Sequence, residues 1–278
     1  MAAKSPRLTV ALTFDHDAIS DSVRRGDPPV KLSHGEFGPR VGAPRILELL
    51  RSRGIASTWF VPGHTLETFP DSIAAILANG HEIASHGWYH EDFGELSTDR
   101  TMEILARCSD AIERVSGARP QGWRAPYWSL DEWTLELVEQ AGFVYDSSLM
   151  SGDYSLSRVR HADRHDVKWG TRWGEPGKLV EVPVYWALDD WPHFEPAGGG
   201  GRDGLAAGSK VLEIWTEELR YAWENAPGGV LTVTMHPECI SRGHRMATLE
   251  RFIDSVEDLD GVVFDRLDRV VARYLANE

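Results

Sequence analysis

Apolar residues along this chain switch period repeatedly, from the two-residue alternation of a strand to the three-to-four-residue spacing of a helix. Residues 8–14 (LTVALTF) read as a strand. Residues 44–53 place Ile46, Leu47, Leu49 and Leu50 at helical spacing, with Pro44 in the first turn and Gly54 as the stop. Residues 55–61 are strand again, Asp71 caps SIAAILAN, 82–86 is a short strand and 98–115 a long amphipathic helix. After a run at 121–125, Ser129 and Glu132 have capping-box spacing before WTLELVEQ. FVYDSS, LVEVPVYW, GVLTVTM and GVVF read as later strands, with helices at about 209–225, 246–256 and 266–276 between or after them. A βα alternation kept up to the C-terminus predicts an α/β fold with a parallel sheet of seven or eight strands. A length of 278 residues suits one barrel closed on itself, a single domain over 1–278, better than two domains. An open doubly wound sheet is the alternative. The polar stretch 148–178 reads as a long functional loop, and GGGGRDG at 198–204 as a flexible connection or lid.

Composition narrows the function. Lys and Arg number 29 against 43 Asp and Glu, a net charge of −14 with no basic cluster, which argues against a nucleic-acid partner. No apolar run approaches the roughly 20 residues of a membrane span. The first residues carry no leader pattern, and two cysteines are too few for a disulfide scaffold, so the expectation is a reduced, cytoplasmic protein.

The unusual polar residues fall at the predicted strand ends. Asp15 and Asp17 end the first strand, His86 and His90 follow the third, and Arg124 ends the fourth. Asp146 ends the fifth, Asp189 and Asp190 the sixth, and His236 the seventh. In a parallel barrel these ends share one face, where an active site sits. His86 and His90, four apart in SHGWYH, suit a metal ligand pair if the stretch turns helically. Asp15 and Asp17 point to the same side if strand geometry persists, and His16 to the other. Two carboxylates in one mouth need a cation, a proton or an arginine between them. One carboxylate with two histidines leaves open positions for water or substrate, as a catalytic site of the zinc type requires. Arg124, in GWRAPYW, is the partner for the carboxylate not bound to metal, and His236 is the general acid. Trp88, Trp123, Trp128, Trp186 and Trp191 sit near predicted strand ends; some must be core, and the rest, Trp128 and Trp191 among them, would wall a pocket for a sugar or small ring. Trp169 and Trp173, in a polar stretch, read as anchors of a symmetric homo-oligomer.

Together these motifs resemble the polysaccharide deacetylase family (carbohydrate esterase family 4, the NodB-homology domain). LTFDHDA resembles its first motif, SHGWYH its His-x-x-x-His motif, RAPYW its arginine motif and LTVTMHP its terminal histidine motif. The resemblance implies a distorted (β/α)7–8 barrel and metal-dependent hydrolysis of a non-peptide C–N bond. By that resemblance Asp15 is the general base and Asp17, His86 and His90 bind a divalent metal, zinc by expectation. Arg124 orients Asp15, His236 is the acid, and the Tyr127 N–H serves the oxyanion. The Asp-His-Asp spacing, with GEFGPRVG and LDDWPHF, looks like an intracellular subgroup that includes Helicobacter-type peptidoglycan deacetylase, cyclic imidases and the metal-independent allantoinases, a resemblance that also implies a homo-oligomer, a dimer or tetramer. Small N-acyl, amino-sugar or cyclic imide substrates are therefore expected over polymers. The stretches 148–178 and 187–208 are expected to cover the mouth. A sugar-binding barrel without catalysis is the reading from another class.

Overall fold

A computed structural model describes residues 6–195 and 205–278. Its strands are β1 (Leu8–Asp15), β2 (Thr58–Val61), β3 (Glu82–Ser85), β4 (Gly122–Trp123), β5 (Tyr145–Asp146), β6 (Ser157–His161), β7 (Arg164–Asp166), β8 (Gly170–Arg172), β9 (Glu175–Glu181), β10 (Gly229–Met235) and β11 (Val262–Phe264). One nine-stranded sheet runs β10-β1-β2-β3-β4-β5-β9-β6, with β11 also pairing β1. Every pairing is parallel except the edge pair β6–β9. Beyond β9, Asp189 makes a parallel bridge to Thr234 of β10, and the Asp190 N–H reaches the Thr234 carbonyl at 3.1 Å. The curved sheet thus comes back on itself through one bridge instead of a ladder, which makes the barrel distorted.

Side-chain parity along the strands places the chemistry. Leu8, Val10, Leu12 and Phe14 of β1 join the large apolar cluster between sheet and helices. Ala11 packs in a second cluster with Phe60, Ala84, Tyr145, Val180 and Val230, the inward residues of five other strands, and with Val182 just past β9. Leu267, Val270 and Val271 of the last helix, Leu267–Leu275, complete that inner cluster. A strand alternates faces at each residue, so Thr13 and Asp15 follow Ala11 inward. Arg124, His86 and His236 continue the inward parity of β4, β3 and β10. Gly122 of β4 has no side chain because the Tyr145 ring fills the space; a Cβ there would lie 2.1 Å from it.

The structure corrects several expectations. The stretch 148–178 is not a loop: β6 and β9 form an antiparallel pair, and β7 and β8 form a second pair at its tip. The tip, β7 and β8, is exposed on both faces, and β6 offers a single buried apolar residue, Val159, so hydrophobic periodicity could not reveal the pairing before residue 179. Nor does this arm cover the mouth. Tyr145 and Asp146 pair with Val180 and Glu181, so residues 164–179 extend past the N-terminal ends of the strands, opposite the mouth. The strand count is higher than seven or eight for the same reason. Asp71 lies in the first turn of Pro70–Ala78 without capping it. The start of Thr134–Gln140 is held by Asp131, whose Oδ1 accepts from the Trp133 and Thr134 N–H groups at 2.9 and 2.8 Å, not by a Ser129–Glu132 box. GGGGRDG lies outside the described residues. Among the described residues no helix is long and apolar enough to cross a membrane.

Candidate active site

Asp15, Asp17, His86, His90, Arg124 and His236 meet at the C-terminal ends of the strands. Asp17 lies two residues past Asp15 and keeps its inward parity. His16 between them turns outward, its ring edge-on to Trp59 and its Nε2 3.0 Å from Ser72 Oγ. The parity reading from sequence holds for all three residues.

His86 and His90 converge through an irregular turn and not a helical face. Gly87 at φ +71° and His90 at φ +59° let the chain double back, and a non-glycine residue in the left-handed region is strained. The ring centroids end 5.0 Å apart. His86 Nδ1 lies 2.9 Å from the Arg124 carbonyl and donates to it, which leaves Nε2 with its lone pair free. That Nε2 is 3.5 Å from Asp17 Oδ1, and His90 Nε2 is 3.4 Å from Asp17 Oδ2. These separations exceed good hydrogen bonds. Asp17 Oδ1 and His86 Nε2 are buried without a hydrogen-bond partner. Burial brings the His86 imidazole down to about 4 and holds His90 well below its ordinary value, so both rings are neutral. Burial, together with Glu238 and Asp15, pushes the Asp17 carboxyl well above its ordinary value. A buried acid and two neutral imidazoles within 4.8 Å of one another form a donor set that fits a divalent cation of the zinc type.

Asp15 has another environment. Arg124 is fully buried and donates to Asp15 Oδ1 at 2.7 Å, to Thr13 Oγ1 at 3.0 Å, and to the carbonyl and Oγ of Ser147 at 3.0 Å each. Its guanidinium carbon also sits 4.0 Å from the centroid of the Phe60 ring. Burial raises the Asp15 carboxyl, but the charge of Arg124, helped by His86 and His236, brings it below its ordinary value.

Across the site, His236 Nδ1 is 2.8 Å from Asp190 Oδ1, and both Asp190 oxygens accept the His236 backbone N–H at 3.1 Å. Its Nε2 faces Asp17 Oδ2 at 3.8 Å. Burial alone would lower this imidazole; its bond to Asp190 and the charges of Asp190, Asp189 and Asp17 hold it well above its ordinary value. Asp189, Asp190 and His236 also offer donor atoms within 4.8 Å of one another, but the Asp190 oxygens are already committed to His236. The group is a hydrogen-bonded acid–imidazole pair.

The rim is aromatic. Tyr127 and Trp128 sit at φ +58° and +51° in a tight turn whose bonds run from Trp128 to Ala125 and from Ser129 to Pro126, leaving the Tyr127 N–H out of them. The Tyr127 ring stands edge-on to His90 at 4.3 Å, and its hydroxyl accepts from Arg24 at 3.1 Å. Trp128 packs on Trp186 at 4.4 Å, and Trp191 edges against His236 at 5.0 Å. Trp88 and Trp123 are the core members of the tryptophan group: Trp123 meets Phe93, and Arg107 stacks on Trp88. Asp146 does not serve the mouth either; it bonds Ser148 Oγ at 2.6 Å and stands in register with Glu181. Sequence reasoning missed Asp190 as the partner of His236, and Thr13, Ser147 and Phe60 around Arg124. Only the doubled aspartate in LDDW and the serines in YDSS hinted at them.

The family profile described as polysaccharide deacetylase matches residues 2–145, which hold Asp15, Asp17, His86, His90, Arg124 and Tyr127 but neither Asp190 nor His236. A peptidoglycan deacetylase-like protein of Gibberella zeae is 32% identical over 88% of this chain and 79% of its own. The peptidoglycan deacetylase of Helicobacter pylori is 28% identical over 96% of both chains. A solved structure assigned to the polysaccharide deacetylases, from Mycobacterium smegmatis, superposes with a TM-score of 0.84 at 34% identity, covering 100% of this chain and 93% of that one. An allantoinase structure superposes at 0.82 over 98% of this chain and 91% of that one, and at 22% identity the likeness is one of fold.

Proposed function

The chain belongs to the polysaccharide deacetylase family, and from that premise we propose that it is a divalent-metal-dependent hydrolase of non-peptide C–N bonds, removing an acyl group from a small amide. The observation that carries this reading is the division of labour between two neighbouring carboxyls. Asp17 faces two neutral imidazoles, while Asp15 is held by a buried guanidinium. Asp17, His86 and His90 would hold the metal. When bound, the ion supplies Lewis acidity to the scissile carbonyl and lowers the pKa of water.

The chain's own groups do the rest. Asp15, kept ionised by Arg124, takes the proton from the attacking water. The Tyr127 N–H, free of the turn's own bonds, donates to the oxygen on which negative charge develops. His236, kept protonated by Asp190, gives its Nε2 proton to the departing nitrogen, and Asp190 fixes the ring so that Nε2 faces the site. A sugar-binding barrel would need neither a base nor an acid, and the opposed states of Asp15 and His236 favour catalysis.

Substrate size follows from the rim. The Arg24–Tyr127 bond joins the segments after β1 and β4 across the mouth, and Trp128, Trp186 and Trp191 stand nearby. Such a rim suits a small N-acyl sugar or amide better than a polymer. Opening of a cyclic imide or ureide is the second reading, favoured by the same aromatic rim around a compact acid–base pair. Turnover of N-acetyl amino sugars, chitooligosaccharides and cyclic imides by zinc-loaded protein tests both. Release of acetate from insoluble glycan, with no turnover of small amides or imides, would sink the small-substrate reading. We also propose a homo-oligomer, because Trp169 and Trp173 are 80% and 62% exposed on the projecting arm.

A further inference from the structure

The turn from His86 to His90 contains two left-handed residues and no helix, so something must hold its shape. Its outward carbonyls are taken by the neighbouring segment: Gly63 N–H donates to Gly87 at 2.9 Å and His64 N–H to Trp88 at 2.8 Å. Its inward N–H groups go to one atom. Glu91 Oε2 accepts from Trp88 N–H and from Tyr89 N–H, both at 2.9 Å, and the Glu91 side chain is buried. A Cβ on Gly87 would lie 3.0 Å from that oxygen, so the glycine lets the carboxylate into the turn. Two convergent N–H groups on a carboxylate oxygen are a charge-assisted arrangement that fixes direction as well as position.

We propose that Glu91 is a positioning residue for the metal site, templating the His86–His90 turn so that both Nε2 atoms face Asp17 before any ion arrives. This rests on the metal reading above. Glu91 Oε2 is committed to backbone donors and touches neither substrate nor metal ligand. Groups of this kind, one step removed from the ligands, alter metal affinity by about 10–100-fold when lost.

The test is zinc affinity by competition with a chromophoric chelator, together with the absorption bands of the Co²⁺-loaded protein. The proteins are the wild type, Glu91→Gln, Glu91→Asp and Glu91→Ala, each checked for folding by circular dichroism without metal. Glu91→Ala is expected to bind zinc about 10–100-fold more weakly and to shift the Co²⁺ bands. Glu91→Gln, whose amide oxygen can still accept both N–H groups, is expected to recover most of that loss. If Glu91→Ala fails to fold, Glu91→Asp decides, since its shorter reach should weaken zinc more than Glu91→Gln does. Wild-type affinity and unchanged Co²⁺ bands in the folded variants would overturn the role of Glu91 alone. A wild type that binds no zinc or cobalt would overturn the metal reading, and this one with it.

Discussion

Arg124 and Asp15 meet at 2.7 Å with side chains no more than 5% exposed, and three more of that guanidinium's N–H donors go to Thr13 and Ser147. A pair so deeply buried is held by geometry, and removing one member strands the other. Arg124→Met should cost about 3–5 kcal/mol of stability. Asp15 would then rise toward neutrality, so the acid limb of kcat/KM in any remaining activity should move to higher pH. Urea unfolding and a pH–rate profile read the two effects; an unchanged acid limb would count against Arg124 as the group that keeps Asp15 ionised.

The two aspartates should separate cleanly by mutation. Asp17→Ala is expected to lose metal and activity together, whereas Asp15→Asn should retain metal and lose about 10²–10⁴-fold in rate. Elemental analysis and initial rates on the same preparations decide this. An empty Asp15→Asn beside a loaded Asp17→Ala would exchange the roles.

Asp190 makes its own prediction because it holds the His236 proton in place. His236 stands above its ordinary value, after burial, through Asp190. Asp190→Asn should therefore lower that imidazole and move the alkaline limb of kcat/KM to lower pH. Metal content should be unchanged. A profile that keeps its alkaline limb would place the acid elsewhere.

Away from the mouth, Glu82 on β3 couples stability to pH. Its carboxyl accepts from Thr58 Oγ1, Tyr145 OH and the Asp268 N–H that opens the last helix. Burial, then the charge of Asp268, raises it to about 7 from an ordinary 4.5. An acid raised on folding penalises the folded state as pH climbs from its unfolded value to its folded one. Stability should therefore fall by on the order of 1–3 kcal/mol between about pH 4.5 and 7 on this group's account. Glu82→Gln should flatten that slope in urea melts across the window, and an unaltered slope would refute the assignment.

The projecting arm offers the simplest measurement. Replacing both Trp169 and Trp173 with Ala should reduce a wild-type oligomer to a species near 31 kDa by sedimentation. A wild type already at that mass would refute the oligomer.

What the sequence determined by itself was local and periodic. The two-residue period of LTVALTFDHDA already placed Asp15 and Asp17 on one face and His16 on the other, and the structure keeps that parity. The βα alternation dictated parallel strands, and parallel strands bring their C-terminal ends to one side, so His86, Arg124 and His236 were legible as a group. Tertiary structure decided what depends on pairing across the chain. The link from Asp190 to His236 spans 46 residues and exists because the sheet closes through the Asp189–Thr234 bridge. Glu91 holds the histidine turn only because that turn is irregular, which a spacing of four did not announce. The strands between 157 and 178 were not legible because β7 and β8 are exposed on both faces and β6 buries only Val159, which leaves no hydrophobic period to read. The arm's direction, away from the mouth, was set by its register on β5. Periodicity records which face of an element is buried; it holds no information about which distant element a polar side chain will meet there.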